Sequence, residues 1–154
     1  MPNKKYDWSE FTLRLPVAAP AEKVFKMWAD PKMMNKWLVE DAKMKLKKNA
    51  DYEWTWYGGF KDTGKILNVR KPSKIVFSFT SGSKCEVMIK KNRRGSMVIL
   101  RQYNIPNNDE HKVMHLNSSN GWTFYLTNLK TYMEYGIDLR ETDPDHLKAG
   151  TVLQ

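Results

Sequence analysis

Few residues in this chain have the type and spacing to do chemistry, and each can be weighed against what that chemistry needs. His111 and His115 stand four apart, the separation that puts two imidazoles on one helix face, as in zinc-binding pairs. The segment reads His-Lys-Val-Met-His, so Lys112 stands where a metalloprotease carries its glutamate base, and no third ligand is in view. Neither a metal site nor a cofactor is expected. Cys85 is the only cysteine, so no intramolecular disulfide can form. As a nucleophile it would need a neighbouring base, and an inert strand thiol is the simpler reading. Gly58-Gly59 lacks the spacing of a phosphate-binding loop and reads as a turn or bulge. Tyr52, Arg101, Tyr103 and His115 are the polar groups able to enter an interior site, but the pattern does not settle which way they face. No catalytic residue is assigned.

Aromatic side chains are the stronger signal. Trp54, Trp56, Phe77, Phe79 and Trp122 fall on apolar faces, where flat rings could stack on a ring-bearing ligand or simply fill a core. Val87, Leu126, Leu129 and Met133 extend the same apolar surface. Met33, Met34 and Trp37 sit together on a short helical segment, and their flexible thioethers would suit an adaptable entrance as well as ordinary packing.

Periodicity supplies the elements that must carry these groups. Phe11, Leu13, Leu15 and Val17 alternate with Thr12 and Arg14, the two-residue period of a half-buried strand. Pro20 and Pro31 each fit a first helical position, the second after Asp30 as N-cap, which predicts two short helices over 20–28 and 31–38. From residue 42 the period returns to two through six short runs separated by turn residues, an antiparallel meander. Met44 and Leu46 alternate with lysines, and Tyr52, Trp54 and Trp56 with Glu53, Thr55 and Tyr57. Leu67 and Val69 follow Gly64; Ile75, Phe77 and Phe79 form the next face, then Cys85, Val87 and Ile89. In Met97 to Tyr103 both faces carry apolar groups. Trp122, Leu126, Leu129 and Met133 recur at helical spacing and predict a long amphipathic helix over 121–135, capped by Ser118, Ser119 or Asn120 and stopped at Gly136. The polar stretch after Leu139 reads as a loosely held tail.

The chain has 154 residues, 41% of them apolar and 28% charged, which fits one globular domain over 1–154 with its core at about 8–139 and a polar tail at 140–154. No apolar run approaches the 20 residues of a membrane span, and none follows Lys4 and Lys5 as a secretion signal would. With one cysteine, a reducing cytoplasmic setting is expected. The net charge of +9 is concentrated between Lys43 and Arg94, with 14 basic and 4 acidic residues. Alternation makes those lysines the wet face of a sheet in preference to a nucleic-acid footprint.

One strand, two short helices, a six-strand run and a long helix make an α+β arrangement in which a curved sheet covers its greasy face with one helix. The run 16–28, Pro-Val-Ala-Ala-Pro-Ala-Glu-Lys-Val-Phe-Lys-Met-Trp, with Asp30-Pro31 and Lys36-Trp37, resembles the opening of START-like (SRPBCC) domains. Gly64-Lys65-Ile66-Leu67, the run 72–77 and the closing run 121–134 resemble the same places in the family named for the activator of heat-shock-protein-90 ATPase. The resemblance spans about 8–139. It implies a helix-grip fold, with the sheet wrapped around the last helix and a hydrophobic cavity between them. The implied function is binding, sequestration or transport of a small hydrophobic, lipid-like or aromatic ligand, and the cavity mouth would fall at Met33, Met34 and Trp37. Two alternatives stay open: a cyclase- or aromatase-type enzyme using the same cavity, and a protein-interaction module engaging a chaperone or another partner. Met1 to Trp8 stands where chaperone-activating members carry a separate domain, so that last role rests on fold analogy. A monomer or a homodimer is expected.

Overall fold

Phe11–Val17 form β1, whose alternating exposure presses Phe11 and Val17 against the core. In the computed structural model, which describes residues 4–148, β1 pairs antiparallel with the last strand, with Leu13 opposite Leu100 and Leu15 opposite Val98. The six expected strands follow as β2 (Asp41–Met44), β3 (Asp51–Thr55), β4 (Lys61–Arg70), β5 (Lys74–Ser78), β6 (Lys84–Asn92) and β7 (Gly95–Tyr103). They form one antiparallel seven-stranded sheet in the order β1-β7-β6-β5-β4-β3-β2. The meander runs outward from β7, so β2, β3 and β4 form a wing at the edge far from β1.

Two short helices follow β1 as the prolines require. Helix α1 spans Ala21–Ala29, with Pro20 as its N-cap and Val24, Phe25 and Trp28 buried. Helix α2 spans only Pro31–Met34, shorter than the expected segment. The Asp30 carboxylate accepts from the Lys32 N–H at 2.9 Å, which satisfies one orphan donor of the first turn. Beyond Met34 the chain tightens into turns that still bury Trp37, Leu38 and Val39 completely.

The long helix α3 runs Asp109–Tyr135, twelve residues further back than the apolar stripe predicted. Its N-cap is Asn108, whose side-chain oxygen accepts from the His111 N–H at 3.0 Å, not Ser118, Ser119 or Asn120. The extension was illegible because His115 is the one buried residue before Trp122, while Val113 and Leu116 point to solvent. Asn117 to Gly121 also reads as turn chemistry, yet docking holds it helical, tertiary packing overriding weak propensity. At the other end Gly136 takes φ 68° and donates to the Tyr132 carbonyl, the expected left-handed stop. Trp122, Leu126 and Leu129 are buried, and each contributes roughly 1.5–3 kcal/mol against the sheet.

The expected inward pair on β4 is shifted by a bulge. Ile66 lies opposite Phe77 and Val69 opposite Ile75, three residues apart on one strand and two on the other. The extra residue turns Ile66 inward, fully buried, in place of Leu67. On β7 the ambiguity resolves through pairing: Val98 opposes Ile89 and Leu100 opposes Val87, so Ser96, Val98, Leu100 and Gln102 form the buried face. At the start of the expected tail, Arg140 is fastened to the body. The Arg140 guanidinium donates to the Val39 and Asn35 carbonyls at 2.9 and 3.0 Å and pairs with Asp138 at 2.8 Å, leaving its side chain 3% exposed. A last helix, α4 (Pro144–Lys148), follows; the rest of the expected tail and residues 1–3 lie outside the described residues. Among the described residues no helix is long and apolar enough to cross a membrane.

Candidate functional site

The wing presents its rings to the interior because alternate residues of β3 share one face. Trp54 is fully buried at the centre, with ring centroids 4.6 Å from Tyr52, 4.9 Å from Phe77 and 6.1 Å from Trp56. Phe79 lies 6.3 Å away and is half-buried. From α3, Tyr125 comes within 5.0 Å of Trp56, and Trp122 lies 6.5 Å from Trp56 and 5.9 Å from Trp28. Trp56, half-buried, is thus the bridge between wing and helix. Val87, Leu126 and Leu129 are buried in the same apolar cluster, and Met133 packs on its margin. These rings occupy the space between sheet and helix. Two depressions open at the surface elsewhere, one over Lys43, Asp51 to Glu53 and Thr63 to Lys65, the other beside Ala18 to Glu22, Lys91, Asn92, Arg94 and Gly95.

The interior indoles fall into two groups by the fate of their N–H. Trp37 donates to the Met27 carbonyl at 2.9 Å, Trp122 to Gln102 Oε1 at 3.0 Å, and Trp56 to Asp62 Oδ2 at 2.8 Å. Trp28 and Trp54, both fully buried, have no acceptor for Nε1. Each such donor costs roughly 1–3 kcal/mol, so an unfilled pair inside an otherwise satisfied core is a conspicuous departure.

The polar groups named in the sequence divide differently from expectation. Tyr52 does face the interior; its hydroxyl donates to the Ser78 carbonyl at 2.7 Å, and burial pushes its pKa up. Arg101 and Tyr103 do not, because they stand on the face of β7 opposite Leu100 and Gln102. Arg101 pairs there with Glu10 and lies 4.5 Å over the Tyr103 ring. His115 is buried, yet it is spent on the N-terminal segment: Nδ1 meets the Trp8 carbonyl at 2.9 Å and Nε2 the Tyr6 hydroxyl at 2.9 Å. His111 turns back onto Asn108 Oδ1 at 2.7 Å. Cys85 is buried on the inward face of β6, and desolvation pushes its thiol up.

Four interior polar residues were missed. Gln102 is buried and joins Trp122 to Ser83 Oγ, its Nε2 donating at 3.2 Å; the β7 alternation would have found it once the face was known. Asp62 lies opposite Trp54 in the β3–β4 register, and burial raises its carboxyl above the usual range against the Trp56 hydrogen bond. Tyr125 is likewise pushed up to about 12 by burial. Asn128, fully buried on α3, donates to the Trp37 carbonyl at 2.7 Å and accepts from the Leu139 N–H. Together with Arg140 it closes the end of the interior where Met33, Met34 and Trp37 were expected to open it. Met34 and Trp37 are wholly buried, and Met33 alone of the three reaches partly to solvent. Chemically, then, the interior offers aromatic faces, two spare N–H donors and one half-buried carboxyl.

Solved structures share the fold at low identity. Protein SSP2350 from Staphylococcus saprophyticus superposes with a TM-score of 0.76 at 17% identity, covering 85% of this chain and 96% of that one. A solution structure of an Aha1 dimer from Colwellia psychrerythraea gives 0.70 at 16% identity, over 82% and 97%. DynU16, from the dynemicin biosynthetic locus, gives 0.74 at 16% identity, with 87% of this chain matched to 50% of that longer one. No curated protein sequence matches the chain significantly. The family model described as Activator of Hsp90 ATPase homolog 1-like protein matches residues 18–134, most of the sheet and all but the last residue of α3, and the chain belongs to that family.

Proposed function

We propose that the protein binds a small hydrophobic molecule, aromatic or lipid-like, between the inward face of the sheet and α3, and so sequesters or carries it. The observation that carries this reading is how the two layers meet. Helix α3 makes its close backbone approach to the sheet along β1, whereas on the wing side it meets Trp56 through the rings of Trp122 and Tyr125. A ring-to-ring junction can part and re-form around a flat guest without breaking backbone pairing, and stacking preserves the apolar burial. Affinity would come from that burial, at about 25 cal/mol per Å² before the costs of association.

Native mass spectrometry beside the denatured mass, followed by a thermal-shift screen of aromatic and lipid-like compounds, tests it. Selective binding to the native state raises its apparent stability. A folded Leu126→Trp variant, which puts an indole into the proposed site, is expected to lose that response. Unchanged affinity in the folded variant removes the site.

A cyclase- or aromatase-type reaction in the same interior is the second reading, favoured by Asp62. Its carboxyl stands opposite Trp54 and accepts from the Trp56 indole, and burial raises its pKa. Turnover of a polyketide-like substrate that disappears in Asp62→Asn while binding persists would support catalysis; binding without turnover leaves the carrier reading.

A further inference from the structure

The two unpartnered indoles narrow the chemistry of the ligand. Trp28 Nε1 and Trp54 Nε1 lie in different elements, on α1 and β3, and are joined through the rings of Trp122 and Trp56. Every other indole N–H in this aromatic set has an acceptor from the chain itself, so the interior is able to satisfy indoles and does so in three cases. An indole can only donate, so whatever completes these two must bring a lone pair. A pure hydrocarbon guest would leave both donors stranded at full desolvation cost.

The charge of that acceptor follows from what else is buried. Among the described residues the buried polar set is Ser83, Ser96, Gln102, His115 and Asn128, with no lysine or arginine. Arg140, the cation most nearly withdrawn from solvent, is committed to Asp138, Asn35 and Val39. A carboxylate or phosphate carried inside would meet no cation, and it would share the interior with the Asp62 carboxyl. The acceptor must therefore be neutral.

We propose that the ligand is a neutral, carbonyl-bearing apolar molecule whose oxygen accepts from Trp54 Nε1 or Trp28 Nε1, with the surrounding rings packing its apolar body. This rests on the binding function proposed above and specifies the class of molecule bound. It separates ketones, quinones and esters from hydrocarbons and from fatty-acid anions of similar size.

Three probes of one shape test it on the whole protein: benzophenone, diphenylmethane and diphenylacetate, titrated by calorimetry and by ¹H–¹⁵N NMR of the indole N–H signals. Benzophenone is expected to bind about tenfold more tightly than diphenylmethane, the worth of one hydrogen bond to an otherwise unsatisfied donor. Diphenylacetate is expected to bind more weakly than either. The Trp54 or Trp28 indole signal should move downfield with benzophenone alone, a readout that needs no variant. In Trp54→Phe combined with Trp28→Phe the tenfold preference for the ketone over the hydrocarbon should vanish; a preference that survives in the folded double variant overturns the acceptor. Equal affinity for the ketone and the hydrocarbon keeps the binding function and overturns the acceptor. So do tightest binding of diphenylacetate and indole signals that no probe moves, the mark of a resident water. Failure of all three probes to bind overturns the binding function and this inference with it.

Discussion

Replacing Arg140 with alanine should unhook the chain end that closes the interior, and the structure allows the loss to be worked out. The guanidinium is 97% withdrawn from solvent, since its side chain is 3% exposed, and it satisfies two carbonyls, Val39 O at 2.9 Å and Asn35 O at 3.0 Å. A hydrogen bond from a charged donor is worth about 1.5–3 kcal/mol, and the lower figure applies where water can follow the truncation, giving about 3 kcal/mol for the two. Asp138 is one-third exposed, so its share of the pair is held to less than about 1 kcal/mol. The expected loss is about 3–4 kcal/mol in urea unfolding, or a melting temperature lower by roughly 10 °C for a chain of this size. Arg140→Lys should recover about half, because one ammonium cannot span both carbonyls and the carboxylate. The pH dependence carries a sign. Burial opposes it, but the hydrogen bonds from Arg140 and Asn128 hold the Asp138 carboxyl below its ordinary value. That contribution is present above the unfolded pKa of about 3.9 and is lost as pH falls through the lower folded value. The gap between wild type and Arg140→Ala should therefore narrow below about pH 4 without closing, since the carbonyl bonds do not titrate. A loss under about 1 kcal/mol at neutral pH would refute the clamp.

Two further outcomes follow from local geometry. At Gly64 an added Cβ would stand 1.9 Å from the Ser78 carbonyl oxygen and 2.9 Å from Tyr52 Cε1, so Gly64→Ala should destabilise by about 3 kcal/mol or more in thermal unfolding; a neutral result would mean the β4–β5 pairing yields readily. Cys85, buried with its thiol pushed up, should react with a disulfide reagent at pH 8 at least about a hundredfold slower in the native than in the urea-unfolded protein, and rapid native labelling would contradict that burial.

Most of the fold was legible because it follows from period and punctuation. Phe11 to Val17 alternates over a full strand, Asp30-Pro31 starts a helix, and Gly136 ends one, each a local signal acting over a few residues. What escaped is non-local. The Leu67 expectation failed because a bulge is a property of two paired strands, and only Phe77 and Ile75 across the sheet reveal that Ile66 and Val69 share a face. Arg101 and Tyr103 were open candidates because Met97, Ile99 and Val98, Leu100 look alike in isolation, and β6 decides between them. The early half of α3 hid behind Asn117 to Gly121 because its one buried group, His115, is a polar residue held by Trp8 and Tyr6 a hundred positions away.

The same distinction separates the two sides of the interior. Along β1, β7 and β6 the layers are set by backbone pairing and by aliphatic groups such as Val98, Leu100 and Val87, which interdigitate and have no polar atom to satisfy. On the wing they are set by tryptophans, each of which brings an N–H that something must accept. Aliphatic side chains would fill such volume without the liability, so packing alone gains nothing from the unpartnered N–H groups of Trp54, on the wing, and of Trp28, on α1. In the binding function proposed above, a guest that supplies the lone pair would offset their cost, and the wing, joined to α3 through rings, is the side on which it would enter.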